Sequence, residues 1–515
     1  MTHLCVPIFV RDLARAKRDI AAAAEAGADM VELRIDPLRD YHILAEILRD
    51  SILPAIVTCR PDWEGGLSPM EDPERITLLM TCVEDGAQIV DLELKTARRY
   101  EHIFRQLHSD DKDHPTVILS HHDFTGRPEK LYNIISDLNA MPVDVNKIVW
   151  TARTIRDNLE AFELLVDRRR PTIALCMGEA GVISRILANK FGAFLTFAAL
   201  DVESATAPGQ ISIGDMKWLY RWDSIGTKTK VYGVVANPVG HSMSPAIHNA
   251  AFDATGFDGI YLPLLVDGSY ESFKAFMETF VNFQPLDLSG LSVTIPHKGH
   301  ALRYLKEKGA TVEDLAASIG AVNTISIDDD RKLSGYNTDY LAIVDSIAEK
   351  LGIDRTGLKG LRISVIGAGG TGRTAVAALA HFGAEILVCN RTADRAAALA
   401  TEFDGNSGSV SAVSLEDISQ APVDVVINTT SVGMFPKIDE SPAPDLRLEK
   451  NTVVFDTVYN PPKTKLLEQA EAAGCPTIGG IEMFVRQAAG QFELWTGKPA
   501  PAKVMRRVIE ERLGK

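Results

Sequence analysis

The sequence predicts an α/β protein in two halves of different design, a (β/α)8 barrel followed by a unit built around a dinucleotide-binding turn. Three observations carry this. Eight short β-branched runs alternate with helical stretches through the first half of the chain. A polar segment with scattered aromatics, 211–230, then breaks the pattern, with a short helix expected over 215–222. Beyond it, the buried run 361–366 passes straight into Gly367-Ala368-Gly369-Gly370-Thr371-Gly372 and an alanine-rich helix. Glycines in that setting allow a tight turn and bring a pyrophosphate against the helix N-terminus.

A chain of 515 residues is too long for one hydrophobic core. Its formal charge of -15 argues against general attraction to nucleic acid or an anionic membrane. An acidic metabolite could still be held by a local cluster of arginines. The six cysteines are scattered without a CxxC pair, and four lie in apolar runs, which favours reduced, buried thiols over disulfides or zinc. No stretch is long and apolar enough to span a membrane. The chain opens on a core-like strand with no visible signal or transit peptide, so a cytoplasmic location, or a mature form from which a leader has been removed, is expected.

Taken in order, strands are expected near 5–10, 30–35, 55–59, 89–94, 116–120, 147–151, 172–176 and 194–197. Eight strand–helix repeats fit a closed barrel. Periodicity alone also permits an open doubly wound sheet. In a barrel the charged residues fall in phase: Glu32 and Arg34 end the second run, Arg60 the third, Glu93 the fourth, His121 and His122 the fifth. They would meet at one mouth. Lys147 instead begins the run Ile148-Val149-Trp150. Burial or a neighbouring cation would free its amine as a nucleophile. At the solvated foot of a strand it would be an ordinary lysine, and the residues alone lean slightly that way.

The segments Glu32-Leu33-Arg34-Ile35-Asp36, Thr58-Cys59-Arg60, Asp91-Leu92-Glu93-Leu94, Ser120-His121-His122-Asp123-Phe124, Asn146-Lys147-Ile148 and Ala207-Pro208-Gly209-Gln210 together resemble type I 3-dehydroquinate dehydratase. The resemblance implies an imine between Lys147 and the ketone of 3-dehydroquinate, formed without a metal. It selects His122 over His121 as the general base and acid, and it is taken to make Glu93 the residue that orients His122. Arg185 would hold the substrate carboxylate. Glu32, Arg34, Arg60, Gln210 and Thr206, where the family usually has serine, would complete the pocket.

In the second half Ser242-Met243-Ser244-Pro245 reads as an ordinary helix start. Val293-Thr294-Ile295-Pro296-His297-Lys298 ends a strand with a lysine, and Asn337-Thr338-Asp339 precedes a helix over 340–351. After the glycine-rich turn, the strand 385–389 ends in Asn390-Arg391-Thr392 instead of an acid. A surface arginine is the plain reading; at this position arginine also suits the 2'-phosphate of NADP.

With Tyr459-Asn460-Pro461 and Gly479-Gly480-Ile481-Glu482-Met483, these segments resemble shikimate dehydrogenase. The fold implied is an α/β substrate domain and a Rossmann NADP-binding domain. The corresponding boundaries are 1–222 for the barrel, 223–230 for a linker, 231–338 for the substrate domain, 339–480 for the Rossmann domain and 481–515 for returning helices. Ser242 and Ser244 would take the carboxylate, Thr294, Asn323 and Gln487 the ring hydroxyls, and Tyr459 would line the pocket. Lys298 and Asp339 would form the catalytic pair. NADP(H) would lie against Gly367, Ala368, Gly369, Gly370, Thr371, Gly372, Asn390, Arg391, Thr392, Thr429 and Met483. Tyr340-Leu341-Ala342 departs from the glycine that often follows the aspartate, a change expected to affect helix packing and not chemistry.

The function expected is thus consecutive: dehydration of 3-dehydroquinate to 3-dehydroshikimate, then NADPH-dependent reduction to shikimate. The alternatives are an NAD-linked quinate dehydrogenase in the second half, or a metabolite-sensing regulator that has lost catalysis. Self-association is left open.

Overall fold

The computed structural model describes residues 2–107, 114–201, 206–240, 242–405 and 407–514. Its first sheet contains β1 (His3–Phe9), β2 (Met30–Arg34), β3 (Ala55–Thr58), β4 (Ile89–Glu93), β5 (Thr116–Asp123), β6 (Val145–Thr151), β7 (Thr172–Met177) and β8 (Leu195–Phe197). All are parallel, in the order β7-β6-β5-β4-β3-β2-β1-β8. Phe194 N donates to Thr172 O at 2.9 Å, drawing the two edges together. The sheet is therefore a nearly closed barrel and not an open one. Cys5, Met30, Ile56, Ile89, Ile118, Val145, Ile173 and Leu195 pack in one core cluster, the filled interior expected of an eight-stranded barrel.

The second sheet takes the strands β9 (Lys230–Ala236), β10 (Gly259–Leu265), β11 (Leu288–Val293), β12 (Thr311–Val312), β13 (Thr324–Ile327) and β14 (Leu333–Tyr336), in the order β10-β9-β11-β13-β14-β12. The third takes β15 (Arg362–Ile366), β16 (Glu385–Cys389), β17 (Ser409–Ala412), β18 (Val425–Asn428), β19 (Val453–Asp456) and β20 (Thr477–Ile478). Its order is β17-β16-β15-β18-β19-β20, all parallel. The order reverses between β15 and β18, where a doubly wound sheet opens a crevice at its carboxyl edge.

The compact units differ from the expected boundaries. One gathers Met1–Val231, Ala236–His241 and Asp258–Leu288; the other gathers Tyr232–Val235, Ser242–Phe257 and Ser289–Lys515. Bonds within the first unit explain why 258–288 joins the barrel. Arg221 Nη1 donates to Gly259 O at 2.8 Å, Thr229 Oγ1 to Asp258 Oδ1 at 2.6 Å, and Phe191 stacks on Phe283 with centroids 6.2 Å apart. The expected linker is fastened too: buried Lys190 donates to Thr227 O and Thr229 O at 3.0 and 2.8 Å. The helix expected over 215–222 is a single π-type turn, Asp215–Leu219, followed by a short turn at Trp222–Ser224.

All six cysteines are free and buried, and burial raises the thiol pKa of Cys5, Cys82 and Cys176. Among the described residues no cluster of His, Cys, Asp and Glu could hold a metal. No helix among them is long and apolar enough to cross a membrane.

Candidate active sites

Strand register assembles the barrel site. Arg34 pairs with Thr58, Thr58 with Asp91, Glu93 with Ser120, and Ser120 with Lys147. Paired residues of parallel strands share a face, and alternate residues share it too. Glu32, Arg34, Asp91, Glu93, Ser120, His122 and Lys147 therefore lie on one face, and His121 on the other. Both histidines fall within β5, which runs three residues past its expected end. Lys147 is the third residue of β6 and its side chain is only 4% exposed, so it is an interior residue and not a solvated one at the strand's foot.

Lys147 Nζ lies 2.8 Å from Asp91 Oδ2 and 3.3 Å from Glu32 Oε1, and 4.7 Å from the centroid of the Phe197 ring. Asp91 was not among the expected site residues. Burial raises its pKa, but Arg60 and Lys147 outweigh that and hold it at about 2. The carboxylate thus stays charged and fixes the lysine's head.

Glu93 does not orient His122. Its Oε1 accepts from Arg60 Nη1 at 2.8 Å and its Oε2 from Arg75 Nη2 at 2.7 Å, so it is spent between two guanidinium groups. Glu64 takes the expected place. Its Oε1 accepts from the His122 backbone N at 2.6 Å and lies 3.1 Å from Nδ1. The loop that delivers Glu64 turns back tightly. Gly65 has φ +76°, and a Cβ on Gly66 would lie 2.0 Å from Arg60 O. Those paired glycines behind an acid, in the loop that follows β3 and Arg60, were the available signal for Glu64.

Burial pushes the Glu64 carboxyl up to about 8. Burial, then the charges of Arg60 and Lys147, drive His122 well below 6.5, which leaves a neutral imidazole at working pH. Arg185 lies in the short helix Val182–Ile186, 2% exposed, with its Nε unpaired and no carboxylate against it among the described residues. Burial pulls its pKa down to about 10. A buried guanidinium without a counterion is costly, and an incoming carboxylate would relieve that cost.

Glu32, Arg34, Arg60, Glu64, His122, Lys147, Arg185, Thr206 and Gln210 all line one cavity at this mouth. Arg34 is already bound in a fork to Asp36 at 2.8 and 2.9 Å. Gln210 and Thr206 bond each other, with Thr206 N to Gln210 Oε1 at 2.8 Å.

In the second half Lys298 does not end a strand. β11 stops at Val293, and Lys298 is the first residue of the helix Lys298–Glu307. Its Nζ donates to Asp339 Oδ2 at 2.6 Å. Asp339 sits in the first turn of the helix Thr338–Leu351, capped by Asn337, whose Oδ1 accepts from the N–H groups of Asp339 and Tyr340. Such a cap satisfies otherwise orphaned donors and fixes the helix start. Asn323 Oδ1 accepts from Thr338 N at 2.8 Å and its Nδ2 donates to Thr338 Oγ1 at 3.0 Å, which ties β13's start to the same helix turn.

Gln491, absent from the expected set, joins the helix Gly480–Thr496 to this network. It accepts from Ser292 Oγ at 2.8 Å and donates to Thr324 Oγ1 at 3.1 Å. Gln487, one turn earlier, donates to Phe484 O at 3.1 Å. Tyr459 stacks on Phe484 at 5.1 Å. That approach depends on Gly480, where a Cβ would meet Val458 O at 2.3 Å. Thr294 O accepts from His297 N at 2.7 Å in the turn before Lys298. Ser244 begins the helix Ser244–Ala254, and its N–H donates to Ser242 Oγ at 3.3 Å.

The glycine-rich turn fits a pyrophosphate. Gly367 has φ +115°, and a Cβ on Gly372 would lie 2.1 Å from Gly367 O, so both must be glycine. Added Cβ atoms at Gly369 and Gly370 would meet nothing within 4 Å. That open side faces the start of the helix Gly370–His381, whose first turn includes Thr371. Asn390 Oδ1 accepts from Ala368 N at 3.2 Å, tying the end of β16 to the turn. Arg391 is exposed without an ion pair among the described residues, and it lines a cleft of about 790 Å³ with Gly367, Asn390 and Thr430. Thr392 precedes the helix Ala393–Phe403. Two expected cofactor residues face inward. Thr429 Oγ1 donates to Ile366 O at 2.9 Å, bracing the turn, and Met483 belongs to the sheet's core cluster.

Comparison with known families matches both halves of the chain. The family model for Type I 3-dehydroquinase matches residues 4–227. Those for the Shikimate dehydrogenase substrate binding domain, Shikimate / quinate 5-dehydrogenase and the Shikimate 5'-dehydrogenase C-terminal domain match 234–325, 348–455 and 480–510. A Bacillus cereus shikimate dehydrogenase (NADP(+)) is 38% identical over 55% of this chain and 99% of its own. A crystal structure of shikimate dehydrogenase in complex with NADP+ matches with TM-score 0.50 and 35% identity, covering 56% of this chain and 98% of that one. The bifunctional 3-dehydroquinate dehydratase/shikimate dehydrogenase of Arabidopsis thaliana, described as chloroplastic, is 38% identical over 99% of this chain and 84% of its own. On that similarity the chain belongs to the family of bifunctional 3-dehydroquinate dehydratase/shikimate dehydrogenases.

Proposed function

We propose that the barrel dehydrates 3-dehydroquinate through an imine on Lys147, and that the second half reduces the product with Lys298 and Asp339 at the carbonyl oxygen. The observation that carries the first step is a buried lysine beside a buried, unpaired arginine and a neutral histidine in one cavity. The amine of Lys147 adds to the ketone and water leaves. The resulting iminium draws electrons from the neighbouring carbon, whose proton passes to His122. The enamine then expels the hydroxyl, which takes that proton as it departs. Hydrolysis of the iminium frees the lysine.

Arg185 is assigned the substrate carboxylate. Arg185→Met is expected to lower kcat/KM for 3-dehydroquinate by about 10²-fold, chiefly through KM, because one charge-assisted fork is lost. Steady-state kinetics check this; an unchanged KM would remove Arg185 from the site.

The pH profile provides a second check. A histidine whose pKa is depressed in the folded protein stays neutral above that value and is lost as a base only when pH falls through it. The acid limb of kcat/KM should therefore lie below 6.5, the ordinary histidine value. An inflection near pH 8, about where burial places Glu64, should vanish in Glu64→Gln.

In the second half, bound NADPH supplies the hydride to the carbonyl carbon. Lys298 meets the charge that develops on oxygen and protonates it, while Asp339 holds the ammonium in place. Ser242 and Ser244, at a helix start, are suited to the carboxylate. Arg391 is assigned the 2'-phosphate of the cofactor. Arg391→Ala is expected to raise KM for NADPH by about tenfold or more while leaving the slow rate with NADH unchanged. Comparing NADPH with NADH, and shikimate with quinate, would detect a quinate-directed second half.

A further inference from the structure

Tyr340 departs from the family pattern directly after Asp339, and its hydroxyl has a specific partner. Glu313 sits just before the helix Asp314–Ile319, where its backbone N donates to Gly335 O at 3.0 Å. One carboxylate oxygen, Oε1, accepts a hydrogen bond from the Tyr340 hydroxyl. The other, Oε2, accepts from Asn337 N at 3.2 Å. A single side chain thus holds the residues on both sides of Thr338-Asp339. Asn337 in turn caps Asp339 N at 3.0 Å and donates from Nδ2 to Ala321 O at 3.0 Å. Next to Ala321, Val322 N donates to Lys298 O at 3.1 Å. Tyr340 is 6% exposed and packs into the core cluster of the doubly wound sheet.

We propose that Glu313 and Tyr340 are positioning residues of the reduction, a brace that sets Asp339 against Lys298. This rests on the reading of Lys298 and Asp339 as the pair at the carbonyl oxygen. Neither brace residue is assigned contact with substrate or cofactor. They act by holding the first turn of the helix Thr338–Leu351, from which Asp339 reaches Lys298 at 2.6 Å. A displacement of about 1 Å at a reacting group can cost on the order of 10²-fold in rate. The departure at Tyr340, expected to touch packing alone, therefore reaches the chemistry.

The test uses the full chain with Tyr340→Phe, Glu313→Ala, Glu313→Gln and Asp339→Asn, reading reduction of 3-dehydroshikimate and, as a control for folding, dehydration by the same preparation. Tyr340→Phe and Glu313→Ala should each lower the reductase kcat by about tenfold, with KM and the dehydratase rate within about twofold. Glu313→Gln can accept from Asn337 and donate to the tyrosine oxygen, so it should stay within about threefold of the parent. Adding Tyr340→Phe to Asp339→Asn should cause no further loss, because residues acting as one unit are not additive. Unchanged kcat in Tyr340→Phe and Glu313→Ala, beside a crippled Asp339→Asn, would overturn the brace alone. Multiplying losses in the double variant would overturn it as well. Full activity of Asp339→Asn would overturn the underlying pair, and the brace with it.

Discussion

A Lys147→Ala chain is expected to lose dehydration of 3-dehydroquinate by roughly 10⁴-fold or more, since among the described residues no other lysine lines that cavity. Reduction of 3-dehydroshikimate by the same preparation should persist within about twofold. The alanine variant also leaves Asp91 and Glu32 without the ammonium at 2.8 and 3.3 Å. Removing one partner of a buried ion pair is itself destabilising. Lys147→Arg separates the two effects, because it keeps a cation opposite Asp91 but cannot form an imine. It too should be inactive in dehydration. Borohydride added during turnover should fix substrate to Lys147 in the parent chain and to neither variant, as read by the mass of the peptide carrying residue 147. Dehydration by Lys147→Arg would remove the covalent step.

The second large effect is expected at Lys298. Lys298→Ala should lower the reductase kcat by about 10²- to 10³-fold, the size commonly lost with one group that stabilises or protonates a developing oxyanion. KM for 3-dehydroshikimate should change much less, because the interaction strengthens only as charge develops on the oxygen. Dehydration should be untouched. Equal losses in kcat and the dehydratase rate would indicate unfolding, and an unchanged kcat would exclude Lys298 from the chemistry.

The architecture was legible because its signals are local. β16 coincides with the run expected over 385–389, a short β-branched stretch between clear breaks. The glycine turn was equally plain, since Gly367 and Gly372 are demanded by backbone geometry that only glycine meets. Register was not legible. Which of His121 and His122 faces inward depends on how β5 pairs with β4 and β6. For the same reason Asp91 was passed over, although it shares a face with Glu93 and Lys147.

The exchange of Glu93 for Glu64 has a different origin. Glu93 ends a strand, where a barrel concentrates its chemistry, whereas Glu64 sits in a loop whose path back over His122 depends on Gly65 and Gly66. Long-range polar pairing was also hidden. Nothing near Gln491 in the chain announces Ser292, and nothing near Tyr340 announces Glu313.

The most direct test of the paired sites is one mixture of the purified chain, 3-dehydroquinate and NADPH, followed by the absorbance of NADPH. Oxidation of NADPH that requires 3-dehydroquinate, stops in Lys147→Arg and returns on adding 3-dehydroshikimate is the predicted result. Oxidation that continues in Lys147→Arg with 3-dehydroquinate alone would mean that the second half does not depend on the product of the first, and would contradict the account.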